Sequence, residues 1–181
     1  SRQTLMDALR PPAGSKLGCA VGTTYSLSLD AALTAPAAFA LYGAADLRES
    51  RSVEPLELLD SIRRHADRFT IFFQAGQVTV PTQRRLFAFL EGGVIPVQAP
   101  NGGVFHPKLW VLRFDSDEAG PSYRMLCASR NLTNDRSWDT MLRLDSIGPG
   151  SNTDPDAPEE LSAFNPSGLA EMVRALPGMA V

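Results

Sequence analysis

Short apolar runs alternate with amphipathic and turn-rich stretches along most of the chain. Apolar runs rich in β-branched and aromatic residues predict strands, and stretches with apolar residues three or four apart predict helices. The predicted strands are Leu17–Thr23, Phe69–Ala75, Val94–Gln98, Val104–Phe114, Tyr123–Ser129 and Trp138–Leu144. The predicted helices are Leu29–Leu41 with a kink at Pro36, Pro55–Arg68, Thr82–Glu91 and Ser167–Leu176. Strands separated by crossover helices indicate an α/β layered fold, and the adjacent strands near the end indicate a mixed sheet.

Composition narrows the classes of function. The formal net charge is -3 and the isoelectric point about 5.4, so any nucleic-acid binding must come from a local patch. No apolar run approaches the roughly 20 residues of a membrane span, and the first residues lack a signal pattern. We therefore expect a cytoplasmic protein without a membrane partner. Cys19 and Cys127 lie in apolar, strand-like runs, so we expect two reduced thiols in the core.

Two scarce residue types occur together at one point of the chain. Only two histidines and two lysines stand against fifteen arginines, and one of each lies in the run FHPKLW, as His106 and Lys108. On a strand, residues two apart point to the same face, so these side chains are expected to project side by side. A lysine on an otherwise apolar strand is costly to bury, so Lys108 needs solvent or an anion. Trp110 shares this parity and is either a core residue or a stacking surface for a base.

A second polar group follows the next predicted strand. Ser129 and Asn131 share a parity and can point to the same place. An imidazole, an ammonium, an amide and a hydroxyl at adjacent strand ends would form a pocket for a phosphate. A histidine can attack phosphorus, while a lysine and an asparagine can stabilise the charge on its oxygens. Two other interpretations stay open: Asn131 also suits a turn or a helix cap, and Ser129 also suits a hydroxyl bonded to backbone.

These residues resemble the phospholipase D superfamily, whose motif is HxK followed, after a strand and a turn, by GS-x-N. The two parts are His106-Pro107-Lys108 and Ala128-Ser129-Arg130-Asn131. The run SRNLTNDRSW is also similar to tyrosyl-DNA phosphodiesterases and to bacterial nucleases of this superfamily. The resemblance implies an α/β/α sandwich with a mixed sheet. The turn-rich stretch that begins at Gly148 divides the chain, so we expect a phospholipase D-like catalytic lobe at 1–147 and a flexible loop and C-terminal helix at 148–181, part of the same domain.

The resemblance also implies a mechanism. His106 would attack phosphorus and form a phosphohistidine, and Lys108 and Asn131 would bind the phosphate. A second histidine would act as general acid and then as base, and neither a metal nor a cofactor is implied. We expect a nuclease, with Ser129, Arg130 and Arg136 as substrate contacts. The resemblance also implies a role in restriction or phage defence, because bacterial proteins with this motif often belong to such systems.

The chain departs from the family pattern at two places. The aspartate of the longer family motif is replaced by Arg113, as in the tyrosyl-DNA phosphodiesterase branch, and the glycine before the serine is Ala128. An acidic residue after the asparagine commonly orients a histidine in this family. We expect Asp139 to have this role, with Asp135 as the second candidate.

The two-motif mechanism needs two catalytic histidines, and this chain has a single HxK. His65 has no partner motif, and a solvated helix residue accounts for it. The second half must come from an identical lobe across a two-fold axis or from a second lobe outside this sequence, which begins at Ser1. We favour the homodimer.

Two other functions remain open. The acidic isoelectric point and the replaced aspartate fit a non-catalytic nucleic-acid-binding or dimerisation lobe of a larger defence or helicase-linked protein. A lipid phosphodiesterase is disfavoured because no amphipathic segment carries a basic face for membrane binding.

Overall fold

A six-stranded mixed sheet forms the centre of the protein. The computed structural model describes residues 4–45, 60, 63–80, 85–118, 120–134, 139–146 and 167–181. The strands are β1 (Lys16–Thr24), β2 (Leu27–Ser28), β3 (Phe69–Gln74), β4 (Val78–Thr79), β5 (Val94–Val97), β6 (Leu109–Asp115), β7 (Ser122–Ala128) and β8 (Met141–Asp145). The central order is β5-β3-β1-β6-β7-β8, and β2 pairs with β4 in a separate two-stranded sheet.

The mixed character of the sheet follows from the lengths of the connections. β1, β3 and β5 run parallel, because long segments join them and return the chain to the same end. β6, β7 and β8 are antiparallel to their neighbours and follow one another closely along the chain. β6 also pairs antiparallel with β1, so β1 and β7 run in one direction. The predicted α/β fold with a mixed sheet is confirmed.

The described helices are α1 (Leu5–Leu9), α2 (Leu29–Ala32), α3 (Thr34–Ala45) and α4 (Ser167–Ala175), with short 3-10 turns at Arg85–Leu90, Pro100–Gly102 and Leu176–Met179. The predicted kink at Pro36 is wrong, because the break between α2 and α3 falls at Leu33. Pro36 lies in the first turn of α3, where a backbone N–H has no partner within the helix.

Two other predicted helices lie partly outside the described residues. For Pro55–Arg68, the structure describes Asp60 and 63–66 as helical. For Thr82–Glu91, the described part, Arg85–Leu90, is a 3-10 helix rather than an α-helix. Among the described residues, no helix is long and apolar enough to cross a membrane.

Apolar side chains pack against both faces of the sheet. Because neighbouring residues of a strand point to opposite faces, β3 divides its phenylalanines between two clusters. The larger cluster includes Ala8, Leu9, Ala32, Ala35, Phe69, Ile71, Phe73, Trp110, Leu112, Phe114 and Leu126. The second includes Phe72, Val97, Phe105 and Leu176. Trp110 is therefore a core residue and is 5% exposed. The expectation of buried cysteines is wrong, since both Cys19 and Cys127 are exposed.

The strand predicted over Val104–Phe114 begins later than expected. β6 starts at Leu109, and residues 103–108 are irregular. Two features account for this. Pro107 has no N–H to donate to a strand ladder, and the N–H of Phe105 donates instead to Gln74 Oε1 at 2.7 Å. The segment that carries His106 and Lys108 is therefore a loop leading into a strand.

Candidate active site at the carboxyl end of β1

Three chain segments meet at one end of the central sheet. They follow β1, precede β6 and follow β7, which is the same edge because β1 and β7 run together and β6 runs against them. The pairing of Leu109 with Cys127 sets the register of β6 against β7. It continues one residue further, where the N–H of Ala128 donates to the carbonyl of Lys108 at 2.9 Å. The segments that carry the HxK and SxN residues therefore lie side by side.

His106 and Lys108 are in direct contact. The Lys108 Nζ lies 2.9 Å from His106 Nδ1 and 3.2 Å from Nε2. It also donates to the His106 carbonyl oxygen at 3.3 Å. The imidazole is exposed and the lysine is half-buried. The predicted proximity of the two groups is thus present, although a loop rather than a regular strand produces it.

Partial burial affects the charge of Lys108. Burial lowers the pKa of its ammonium below the usual lysine value and outweighs the nearby Cys127, which acts in the opposite direction. Desolvation disfavours the charged form of a lysine unless an anion compensates it. A bound phosphate would supply that compensation.

The Ser129-Arg130-Asn131 segment is a turn held by an acidic side chain. Asp139 Oδ1 accepts hydrogen bonds from Ser129 N at 3.0 Å and from Ser129 Oγ at 2.6 Å. Ser129 Oγ in turn accepts from Thr140 N at 3.2 Å. The serine proton is therefore already in use, so this hydroxyl supports the turn. Asp139 contacts Ser129 in these bonds, which makes it a positioning residue for the turn that leads to Asn131.

Asn131 is half-buried and lies two residues after Ser129, which Asp139 holds by hydrogen bonds. Its Oδ1 is a buried atom without a hydrogen-bond partner among the described residues. A buried amide atom without a partner is rare in folded proteins and is often explained by an absent water, ion or ligand. Oδ1 can only accept a hydrogen bond, so a phosphate oxygen would instead accept from the Nδ2 hydrogens of the same amide.

Two further substrate-contact predictions concern arginines. Arg130 is half-buried within the turn. Arg136 lies outside the described residues, and so does Asp135. Arg113, at the position of the motif aspartate, lies five residues along from Lys108, which is roughly 16 Å on an extended strand. It pairs with Asp115 at 2.8 Å on the surface, which raises the pKa of its guanidinium. Arg113 therefore lies far from His106 and Lys108.

Several residues of the site are not apparent from the sequence. Thr23 and Thr24 end β1, and their hydroxyls accept from Leu109 N and Leu132 N, each at 2.9 Å. The ring of Tyr25 lies against His106, with centroids 5.0 Å apart and the rings tilted by 44°. In the sequence, the feature that could have indicated these residues is the polar run GTTYS at the end of an apolar strand.

The other histidine is remote from this edge. His65 precedes β3 and accepts at its carbonyl oxygen from Arg68 N at 3.0 Å. It lies beyond the amino end of β3, whereas the candidate site is at the carboxyl ends of β1 and β3. One chain therefore brings a single histidine, His106, to the site.

A wide cleft lies at the opposite end of the sheet and does not contain these groups. Its volume is about 1020 Å³, and its lining includes Arg10, Arg124, Arg143 and Asp145. Arg124 and Arg143 are both paired with Asp145. These three side chains thus join β7 and β8 through ion pairs.

No family model matches the chain, and no curated protein matches it. Solved structures of yeast tyrosyl-DNA phosphodiesterase are similar to it. One aligns with a TM-score of 0.38 and 17% identity over 72% of this chain and 25% of that chain. A mutant of the same enzyme aligns with a TM-score of 0.35 and 16% identity, over 65% and 22%. The chain spans about a quarter of the yeast protein, and at this distance the function rests on the chain's own residues.

Proposed function

We propose that the protein is a metal-independent phosphodiesterase, a nuclease, that acts through a covalent phosphohistidine at His106. The observation that carries the proposal is the contact between an exposed imidazole and a half-buried ammonium, 2.9 Å apart, on the segment adjacent to Asn131. An imidazole supplies the nucleophile, and the ammonium and the amide are suited to two phosphate oxygens.

The chemistry balances with these groups and a second histidine. The lone pair of His106 attacks phosphorus, and the bond from phosphorus to the leaving oxygen breaks. The leaving oxygen takes its proton from the second histidine. Water then attacks the phosphohistidine and gives its proton to that second histidine, which releases a phosphate monoester and a free His106. Lys108 and Asn131 hold the non-bridging oxygens throughout.

The second histidine belongs to another half-site. It would come from an identical lobe related by a two-fold axis, or from a second lobe of a longer protein. The first arrangement places two copies of His106 at one composite site. Nucleic acid is the proposed substrate, and Arg130 and Arg136 are the proposed phosphate contacts. Because the formal net charge of the chain is -3, such local positive charges would have to attract the phosphates.

Hydrolysis in the presence of EDTA tests the proposal. We expect cleavage of single-stranded DNA or of bis(p-nitrophenyl) phosphate to persist in EDTA and to fall at least a thousandfold in His106→Ala. His65→Ala is the matched control, because it removes the chain's other histidine and should keep full activity. Mass spectrometry of quenched protein should find an acid-labile phosphoryl adduct on His106.

Cleavage that requires a divalent cation and survives His106→Ala would refute the proposal. A protein that binds DNA without cleaving it would support the binding-lobe function instead. Tight binding to anionic vesicles with cleavage of phospholipid would support the lipid phosphodiesterase.

A further inference from the structure

Two adjacent threonines at the end of β1 bond to different halves of the candidate site. Thr23 Oγ1 accepts from Leu109 N at 2.9 Å and lies 3.5 Å from the Leu109 carbonyl oxygen. Leu109 directly follows Lys108. Thr24 Oγ1 accepts from Leu132 N at 2.9 Å and donates to Ser26 O at 2.8 Å. Leu132 directly follows Asn131, so each hydroxyl holds the backbone one residue beyond a phosphate-binding side chain.

Neither hydroxyl is placed to touch a substrate. Thr23 is 5% exposed and Thr24 is 1% exposed. Their oxygen atoms are engaged with backbone N–H groups, and a buried N–H that lost such a partner would leave an unsatisfied donor. The two hydroxyls therefore act on the chain and not on a ligand.

The segment after β7 carries Asn131, and β7 itself makes no ladder hydrogen bonds to β1. β6 lies between them in the sheet. The turn at Asn131 is nevertheless attached to the end of β1 through Thr24, and to the adjoining β2 through the N–H of Ser28, which donates to the Leu132 carbonyl oxygen at 2.9 Å. An isolated bridge pairs Leu27 with Leu132 at the same place. β1 thus serves as the common reference for two segments that belong to other strands.

We propose that Thr23 and Thr24 are positioning residues that set the spacing between Lys108 and Asn131, and through it the affinity of the site for a phosphodiester. The proposal rests on the proposed function of that site. Neighbouring residues of a strand point to opposite faces, so one pair of hydroxyls reaches both a strand beside β1 and a turn beyond that strand. Displacement of a binding group by about 1 Å is enough to cost on the order of a hundredfold in rate.

Paired substitutions separate the hydroxyl from the shape of the side chain. Thr23→Val and Thr24→Val keep the branched side chain and remove the hydrogen bond, whereas Thr23→Ser and Thr24→Ser keep the hydroxyl. With inorganic phosphate as the probe in calorimetry, we expect about tenfold weaker binding in each valine variant, as for loss of one hydrogen bond. We expect binding within about twofold of wild type in each serine variant. Phosphodiester turnover should fall in the valine variants and recover in the serine variants.

Amide hydrogen exchange provides a readout that does not depend on activity. The Leu109 and Leu132 amides should be protected in the wild-type protein, since both donate to buried hydroxyls. Thr24→Val should accelerate exchange at Leu132 and leave Leu109 protected, and Thr23→Val should do the reverse. Rapid exchange of both amides in the wild type would overturn the inference even where a valine variant does not fold.

The remaining outcomes separate this inference from the function on which it rests. Folded valine variants that bind phosphate and turn over substrate like the wild type refute the positioning role and leave the phosphodiesterase intact. A wild-type protein that neither binds phosphate nor cleaves a phosphodiester refutes both.

Discussion

Lys108 carries two opposing requirements in one side chain. The proposed binding of a phosphate needs its positive charge, while its partial burial lowers the pKa of the ammonium. In the structure its Nζ lies against His106 and the carbonyl oxygen of the same residue. An anion at this edge would form a stronger, charge-assisted hydrogen bond with the ammonium.

The pH dependence of phosphate binding follows from this conflict. We expect affinity for inorganic phosphate to fall as pH rises through the lowered pKa of Lys108, at a lower pH than an ordinary lysine would lose its charge. Lys108→Arg should keep its affinity through that range, because the pKa of a guanidinium is far higher. Calorimetric titration at several pH values measures both proteins, and identical profiles would contradict the prediction.

The same shift predicts an opposite trend for folding. Between the lowered pKa and the ordinary value, the unfolded chain binds more protons at Lys108 than the folded chain does. The contribution of this residue to the free energy of unfolding therefore rises with pH in that interval, where phosphate affinity falls. Urea unfolding of the wild type and of Lys108→Met across this interval should show the rise only in the wild type.

The Tyr25 ring is the aromatic neighbour of the proposed nucleophile. An aromatic pair is worth about 0.5–1.5 kcal/mol, which corresponds to roughly two- to twelvefold in rate if the contact holds the imidazole in its reactive orientation. Tyr25→Leu should lower turnover of a phosphodiester by that factor, and Tyr25→Phe should keep most of the activity. Equal rates in the two variants would show that the ring contact has no part in orienting His106.

At the scale of elements, β7 is attached to the amino-terminal segment by one buried arginine. Arg124 is 3% exposed and donates through Nη1 to the carbonyl oxygens of Ala8 and Arg10, at 2.8 and 2.6 Å. Its Nε pairs with Asp145 on β8, and its guanidinium lies 5.0 Å from the ring of Phe114. This residue joins α1, β7 and β8 at the end of the sheet opposite to the site.

Removal of Arg124 should destabilise the fold strongly. Arg124→Met removes the guanidinium donor from the carbonyl oxygens of Ala8 and Arg10 and one of the two arginine partners of Asp145, so we expect a loss of about 2–5 kcal/mol in the free energy of unfolding. Arg143→Met is the matched control, since Arg143 pairs with the same Asp145 at 2.7 Å but is 36% exposed. Its loss should be under about 1 kcal/mol. Urea unfolding compares the two, and equal losses would contradict the assigned roles.

At the scale of the whole molecule, the proposed chemistry needs more than one chain supplies. His65 lies at the other end of the sheet from His106, so the general acid must come from a partner or from another lobe. The homodimer makes the simplest prediction, because two copies of His106 then complete a single site. Light scattering should give twice the 19.5 kDa of one chain.

A mixing experiment distinguishes a composite site from two separate sites. When wild type and His106→Ala exchange subunits at random, activity should fall as the square of the wild-type fraction, because each site needs both histidines. Activity in direct proportion to the wild-type fraction would contradict a shared site. A monomer that is fully active alone would contradict the requirement for a partner.

The sequence by itself determined the class of fold and the residue types at the site. Apolar runs rich in β-branched and aromatic residues placed the six central strands to within a few residues, except at the start of β6, which begins later than predicted because Pro107 cannot donate to the ladder. The spacings of His106 to Lys108 and of Ser129 to Asn131 are properties of the chain, so these groups could be named in advance.

Only the tertiary structure decided what surrounds those groups. Thr23 and Thr24 lie 86 and 108 residues from the amides that they hold, and Asp139 closes a turn ten residues away. Such contacts depend on which strands are neighbours, and hydrophobic periodicity sets the face of a strand without setting its place in the sheet. For the same reason the exposure of Cys19 and Cys127 did not follow from their apolar surroundings in sequence, because burial depends on what covers a face of the sheet.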